Sequence, residues 1–238
     1  MKSQRTKLHK EKLVKIIVYL LLIGGAAVSS LPFVWLVRSS FMEMGQIFIF
    51  PPEWIPRPFT WQNYPEALTV VPFGRYFLNT LTIVGGNLIG VLLICSLAAF
   101  SFSRLRWPGR NIIFTMLLTS LMMPYAVVLI PTFILWKYLR GINTFFPLIV
   151  PSWFGVGIGG VFNIFLMRQF FLTIPLGLDE AAYIDGATPL QVYWSVILPL
   201  SRPVLIVVTV FTFTWVWNDL LGPVVYLTDP DKFTLAIG

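Results

Sequence analysis

The chain has 238 residues, of which 57% are hydrophobic and only 11% are charged. Soluble domains carry roughly 25% charged residues, so this composition excludes an ordinary water-soluble domain and predicts a protein that lies in lipid. The net charge of +7 does not indicate nucleic-acid binding, because a third of the basic residues stand in the first fifteen positions, beside an apolar run.

Long uncharged runs predict where the chain crosses the membrane. The acidic residues stop at Glu66 and resume only at Asp179. A helix needs roughly 20 apolar residues to cross a bilayer. The fold class predicted from these runs is an all-α, polytopic membrane helical bundle with five spans, at about 16–37, 76–103, 111–136, 141–167 and 203–227. The first run is too long for a removable signal peptide, so we interpret it as a permanent span.

The basic N-terminus, residues 1–15, predicts the orientation, because the cytoplasmic flanks of spans retain Lys and Arg. With the N-terminus inside, most of the 17 basic residues fall on the cytoplasmic side, among them Arg104, Arg106 and Arg110. We therefore expect a multi-pass protein of the plasma or inner membrane, with a cytoplasmic N-terminus followed by a transmembrane domain, residues 16–238.

Three further features lie in the first four spans and the segments between them. The external segment 39–75 is dense in Pro and aromatic residues, which fits either a docking surface for an extracytoplasmic partner or a cap at the membrane interface. Pro124 and Pro131 remove backbone donors and predict kinks in the third span. The fourth span contains a group of small residues that favours close helix packing, namely Gly155, Gly157, Gly159 and Gly160.

The cytoplasmic loop 168–202 is predicted to form two short helices. Asp179 and Glu180 suit a first helical turn, where negative charge meets the positive end of the helix dipole, and Gly186 ends that helix. The run 188–191, Thr-Pro-Leu-Gln, opens the second helix with a capping box and with Pro at the first helical position.

The first short helix exposes small side chains that can seat in a groove of another protein. These are Ala181, Ala182, Gly186 and Ala187, flanked by the charges of Glu180 and Asp185. An ordinary, well-capped surface helix explains the same composition equally well.

A longer motif covers this helix. The run 180–187, EAAYIDGA, followed by ILPL at 197–200 and by Pro203, resembles the EAA loop of binding-protein-dependent ABC importer permeases. Similarity extends to 60–64, 77–81 and 217–219, and together these stretches resemble the shorter permease of maltose-type, carbohydrate importers. The resemblance implies an ABC type I importer permease fold. Such permeases usually have six spans, so we expect the final span to be missing from this sequence.

The resemblance also implies a mechanism, in which the loop around 178–198 seats in a cleft of a separate ATPase. The residues that it assigns to this coupling contact are Glu180, Ala181, Ala182, Asp185, Gly186, Ala187 and Pro199. The implied partners are ABC ATPase subunits, a second permease subunit in a heterodimer, an extracytoplasmic solute-binding protein, and a sugar or related small molecule as the solute. The sequence has no Gly-x-x-x-x-Gly-Lys-Ser/Thr phosphate loop, so we expect a transport subunit without catalysis or cofactor.

Four residues near the end of the fifth span are candidates for the solute pathway: Thr212, Trp215, Asn218 and Asp219. A carboxylate near a span is a functional candidate, although an aromatic belt with a solvated acid explains the same stretch. The alternative functions are a membrane scaffold, a membrane-embedded enzyme or an ion-coupled secondary transporter. The last normally needs ionisable groups at mid-membrane, which the first four spans do not supply.

Overall fold

A computed structural model describes the backbone of residues 2–238 and the side chains of residues 12–238. Much of the predicted basic segment 1–15 therefore lies outside the described side chains. The described chain is all-helical, without a β-strand, as the sequence predicts. It divides into two compact units, Met1–Val71 and Pro72–Gly238, and we describe each by itself.

The first unit contains α1 (Lys2–Ser39), a single helical turn (Met44–Ile47) and α2 (Asn63–Val70). From Lys12 onward, the apolar side chains of α1 are exposed along almost its whole length. Such a helix is stable only where lipid or another protein covers it.

Aromatic stacking orders the Pro- and aromatic-rich segment that follows α1 in the first unit. The ring of Phe41 stacks on Phe59, with centroids 4.6 Å apart, and on Trp61 at 5.6 Å. The amide nitrogen of Asn63 donates to the carbonyls of Ser40 and Met42 at 3.0 and 2.9 Å. The segment therefore has a defined shape, which fits both interpretations of its composition.

The second unit contains eight helices among the described residues, apart from short helical turns. They are α3 (Phe73–Arg104), α4 (Arg110–Ser120), α5 (Tyr125–Tyr138), α6 (Gly160–Thr173), α7 (Leu176–Ile184), α8 (Pro189–Leu200), α9 (Arg202–Trp217) and α10 (Leu221–Tyr226). A π-helical turn interrupts α3 at Val91–Cys95 and α8 at Tyr193–Ile197.

The core of this unit draws side chains from α3, α6, α8 and α9. Val91, Met167, Phe171, Tyr193 and Ile197 are all fully buried there. Because α8 contributes two of these residues, the second helix of the loop 168–202 is part of the core and not an appendage to it.

By length and composition, two described helices can cross a membrane, residues 12–39 of α1 and the whole of α3. The number rises to five when each of three bent helix pairs counts as one span. Helices α4 and α5 meet at 99°, so the predicted span 111–136 is broken at Pro124, as its proline predicts. The helix α5 continues through Pro131 without a break.

The structure differs most from the sequence expectation at 141–167. In this range a long α-helix begins only at Gly160. Before it lie a four-residue helix, Phe146–Ile149, and a 3₁₀ turn, Val150–Phe154. The predicted span 203–227 is also split, into α9 and α10. The chain therefore follows an irregular path in two places where the uncharged runs predict continuous helix.

The glycine group of this region has a different role from the predicted one. Gly155, Gly157 and Gly159 take φ values of 68°, 86° and 73°, a left-handed conformation that costs little only for glycine. They form an irregular loop before α6 rather than a helix-packing surface. Gly159 also permits a close approach, since a Cβ at this position would collide with the ring of Trp215.

Candidate functional site

Helix α7 begins after Pro175 and ends in a Schellman motif. The N–H of Gly186 donates to the carbonyl of Tyr183 at 3.0 Å, and that of Ala187 donates to the carbonyl of Ala182 at 2.9 Å. Gly186 has a φ of 80° and open space where a Cβ would stand. The prediction that Gly186 ends the first short helix is confirmed, and the position needs glycine for its backbone conformation alone.

Replacing Gly186 by Ala is expected to destabilise the α7–α8 connection by about 1–2 kcal/mol, since an L-residue is strained in the left-handed region. Hydrogen exchange of the α7 amides measures this effect. The matched control is Gly177→Ala, because Gly177 lies inside α7, also in open space, where alanine favours the helix. Faster exchange in the Gly177 variant than in the Gly186 variant would contradict this account.

The second loop helix opens with the predicted capping box. The N–H of Thr188 donates to Oε1 of Gln191 at 2.7 Å, and the N–H of Gln191 donates to Oγ1 of Thr188 at 3.4 Å. Pro189 occupies the first turn of α8. The loop therefore consists of two helices joined by a short link, as the sequence predicts: a Schellman motif ends the first, and a capping box begins the second.

The outer face of α7 is apolar as well as acidic. Glu180, Ala181 and Asp185 are exposed, and neither acid forms an ion pair with any described side chain. Ile184 is 86% exposed, and Leu176 and Tyr183 are exposed as well. The exposed side of α7 therefore combines apolar and acidic side chains.

Three of the residues predicted to make the coupling contact differ from one another in exposure. Ala182 and Ala187 are half-buried and pack against the core, so they also support the loop. Their small size lets α7 lie close to the core beneath it. Pro199 is exposed near the end of α8, one residue before that helix terminates.

A buried ion pair holds α7 against α3. Nη1 of Arg104, in the last turn of α3, lies 3.3 Å from Oδ2 of Asp179, in the first turn of α7, and their side chains are only 1% and 8% exposed. Burial raises the pKa of the Asp179 carboxyl, and the charge of Arg104 opposes that shift. The same guanidinium donates to the carbonyls of Phe171 and Ile174, where α6 ends. Arg104 thus joins three helices at one point.

A second polar contact joins α8 to α3. The hydroxyls of Tyr193 and Ser96 lie 2.7 Å apart, and both residues are fully buried. Ser96 directly follows the π turn of α3, and Tyr193 begins the π turn of α8. Such turns often occur at functional positions. Together with the ion pair, this hydrogen bond connects both loop helices to the same helix, α3.

A large cavity lies elsewhere in the second unit. Its volume is about 550 Å³, and its walls come from α5, the irregular segment before α6, and the region around α10. Three aromatic residues line it, Tyr125, Trp136 and Tyr226, and Asp219 lies at its edge. The carboxylate of Asp219 accepts the N–H of Gly222 at 3.1 Å, which caps the start of α10.

The structure brings together two of the four predicted pathway residues. Trp215 and Asp219 line an adjoining space with Tyr125. Thr212 is instead buried, and its hydroxyl accepts from the amide of Asn163 at 3.3 Å, so it joins α9 to α6. Asn218 is exposed and donates to the carbonyl of Thr214. Neither of these last two residues lines the cavity.

Comparison with known proteins identifies a family to which this sequence is similar. The sequence profile of the family described as "Binding-protein-dependent transport system inner membrane component" matches residues 86–237. The diacetylchitobiose uptake system permease protein NgcG of Streptomyces coelicolor is 34% identical over 218 residues, which cover 92% of this chain and 71% of that protein. The sn-glycerol-3-phosphate transport system permease protein UgpE of Yersinia pestis is 30% identical over 226 residues, 92% of this chain and 79% of that protein.

One solved structure shares the fold. It is a bacterial ABC transporter involved in the import of the acidic polysaccharide alginate, one chain of which superposes with a TM-score of 0.81 at 23% identity. The superposition covers 96% of this chain and 79% of that chain.

Proposed function

The chain belongs to the family of binding-protein-dependent transport system inner membrane components, and on that premise we propose how it works as a permease subunit of an ATP-driven importer. A separate ATPase drives it through α7. The solute is a sugar or a related compound, as the names of its relatives suggest.

The exposed end of α7 is the observation that carries this proposal. It presents Ile184 with the unpaired charges of Glu180 and Asp185, on a helix that is fixed at its start by the buried pair of Asp179 and Arg104. Such a helix is complementary to a cleft of the ATPase that has apolar residues at its base and basic residues around its edge.

Two contacts, the Arg104–Asp179 ion pair and the Tyr193–Ser96 hydrogen bond, can transmit movement of the ATPase to α3. When the ATPase closes, α7 moves with it, and the Arg104 pair and the Tyr193–Ser96 hydrogen bond pass that displacement to α3. Because closely packed helices move as units, α3 shifts against the rest of the bundle. In this mechanism the chain binds no nucleotide, and the ATPase performs all hydrolysis.

Further partners complete the proposed assembly. A second permease subunit covers the exposed apolar length of α1 in a heterodimer, and a solute-binding protein docks on the outer side, at or near 39–75. The N-terminus lies in the cytoplasm, on the same side as α7 and α8. The excess of Lys and Arg in the segments assigned to that side supports this orientation.

Co-purification with the ATPase tests the proposal. We expect the Glu180→Lys, Gly186→Pro double variant of this subunit to lose its ATPase and its transport activity, because one change reverses the contacting charge and the other removes the Schellman geometry. Glu66→Lys is the control for ATPase association alone, since Glu66 is an exposed acid of the first unit and lies outside the proposed contact with the ATPase. Undiminished association of the double variant would refute the coupling role, and transport without any ATPase would favour an ion-coupled transporter.

A further inference from the structure

A basic cavity lies at the connection between α3 and α4. Its volume is about 320 Å³, and its lining consists of Arg106, Trp107, Gly109, Arg110, Asn111 and Ile112. None of these six residues is acidic, and neither arginine forms an ion pair with any described side chain. The cavity, which we call the α3–α4 cavity, therefore holds two positive charges that no described acid compensates.

Hydrogen bonds fix two walls of the α3–α4 cavity. Nη1 of Arg110 donates to the carbonyl of Leu105 at 2.7 Å, and Nε1 of Trp107 donates to Oγ of Ser101 at 3.2 Å. The other side-chain nitrogens of Arg110 donate to no described residue. A guanidinium held in this way keeps N–H groups for an anion and loses little side-chain entropy when it binds one.

Arg168 of α6 adds a third positive charge near this cavity. Its guanidinium lies 4.2 Å from the centre of the Phe114 ring, and Phe114 stands one turn after Arg110 on the same side of α4. Arg168 also lacks an ion pair with any described side chain. Basic groups gathered in one place raise the local concentration of anions.

The α3–α4 cavity lies where a membrane-spanning helix ends. Helix α3 is long and apolar enough to cross a bilayer, and its last residue is Arg104, two positions before the cavity lining begins. Because Arg104 pairs with Asp179, the cavity lies on the same side of the membrane as α7. A tryptophan such as Trp107 is typical of this interfacial depth.

An exposed apolar side of α4 continues from the cavity. Ile112 lines the cavity and is 63% exposed, and Met116, four residues further along the same side of the helix, is 65% exposed. A soluble anion would leave these side chains uncovered, whereas the acyl chain of a lipid would cover them. Cations beside an apolar surface therefore favour a phospholipid over a free anion.

We propose that the α3–α4 cavity binds the head group of an anionic phospholipid. Arg106 and Arg110 contact the phosphate oxygens, and an acyl chain lies along Ile112 and Met116. Basic pockets at the cytoplasmic ends of membrane helices recognise lipid head groups in this way. The proposal goes beyond the proposed function, because it requires neither the ATPase nor the solute.

Lipid titration followed by native mass spectrometry tests the site. The full-length subunit in detergent should bind phosphatidylglycerol about tenfold more tightly than phosphatidylcholine with the same acyl chains, since each basic residue contributes roughly 1 kcal/mol. The Arg106→Gln, Arg110→Gln double variant should lose this preference. The matched control is Lys12→Gln, Arg202→Gln, which removes two exposed basic residues outside the cavity and should retain it.

Protection of a thiol locates the lipid and remains informative if the double variant does not fold. Ile112 lines the cavity, whereas Ile113 is 46% exposed and lies outside the lining. The native Cys95 is fully buried, so it adds little background. Phosphatidylglycerol, compared with phosphatidylcholine, should slow the modification of Ile112→Cys by an uncharged thiosulfonate about tenfold, and it should leave Ile113→Cys unchanged.

Each outcome decides the proposal. Equal binding of the two lipids to the wild type, equal losses in the cavity variant and its control, or equal protection of the two thiols would overturn the site. Displacement of phosphatidylglycerol by millimolar inorganic phosphate would overturn the lipid assignment and indicate a site for a free anion. A subunit that keeps the lipid preference but does not bind its ATPase would overturn the proposed function alone.

Discussion

Replacing Arg104 by Gln is expected to destabilise the second unit by about 3–5 kcal/mol, because the change leaves the carboxylate of Asp179 buried without its partner. It also removes the donors to the carbonyls of Phe171 and Ile174. Three helices thus lose their common contact at once. The thermal midpoint of the detergent-solubilised subunit measures the effect, and binding of the ATPase should weaken with it as α7 loosens.

Three further variants make this expectation specific. Arg106→Gln removes an exposed arginine only two residues away and should change stability little. Asp179→Asn should cost less than Arg104→Gln, since Arg104 keeps its two carbonyl acceptors. The double variant Arg104→Gln, Asp179→Asn should cost less than the sum of the single changes, because the two groups interact directly. Strictly additive effects would contradict the importance of the pair.

Replacing Ile184 by Ala is expected to weaken ATPase binding tenfold or more without lowering the stability of the subunit. The side chain is 86% exposed in the isolated chain, so its loss costs the fold nothing. In the docked state the partner buries it, and the three lost carbon groups correspond to about 2.4 kcal/mol, or roughly sixtyfold in affinity, when the burial is complete. Titration of the ATPase onto the subunit in nanodiscs gives the affinity.

The control for this prediction is Ile112→Ala. Ile112 is 63% exposed in the first turn of α4, and it lies outside the proposed contact. Equal affinities of the two variants, or a loss of thermal stability in Ile184→Ala, would show that the exposed end of α7 does not seat in the ATPase.

Local signals made the loop 168–202 predictable from the sequence. Gly186 ends α7 with a positive φ, and the run 188–191 forms the capping box of α8. Both features depend on residues within five positions of one another. The break at Pro124 follows from the same kind of rule, since proline cannot supply the missing backbone donor. Short-range chemistry therefore fixes the ends of these helices.

Long-range contacts were not predictable in this way. Arg104 had the pattern of a membrane-flanking cation, and its partner is 75 positions further along the chain. The prediction that Asp179 lies in a first helical turn is confirmed. The helix dipole is only part of its environment, because Arg104 also pairs with it. Tyr193 gave no signal at all, because nothing in its neighbourhood points to a hydroxyl partner on α3.

The region 141–160 misled the sequence argument for a physical reason. An uncharged run satisfies the bilayer whether or not it is helical, provided that protein or water covers the backbone. Hydropathy therefore detects an uncharged segment but not the loop within it. The sign available in the sequence was the close spacing of Gly155, Gly157 and Gly159, since closely spaced glycines favour turns as well as helix packing.

The most direct test of the account is the sidedness and protection of a single thiol at position 184. A membrane-impermeant maleimide should label Ile184→Cys in inside-out vesicles and not in right-side-out ones, and bound ATPase should shield the thiol from the reagent. Labelling from the outer side, or labelling that the ATPase leaves unchanged, would contradict the proposal that α7 receives the power stroke in the cytoplasm.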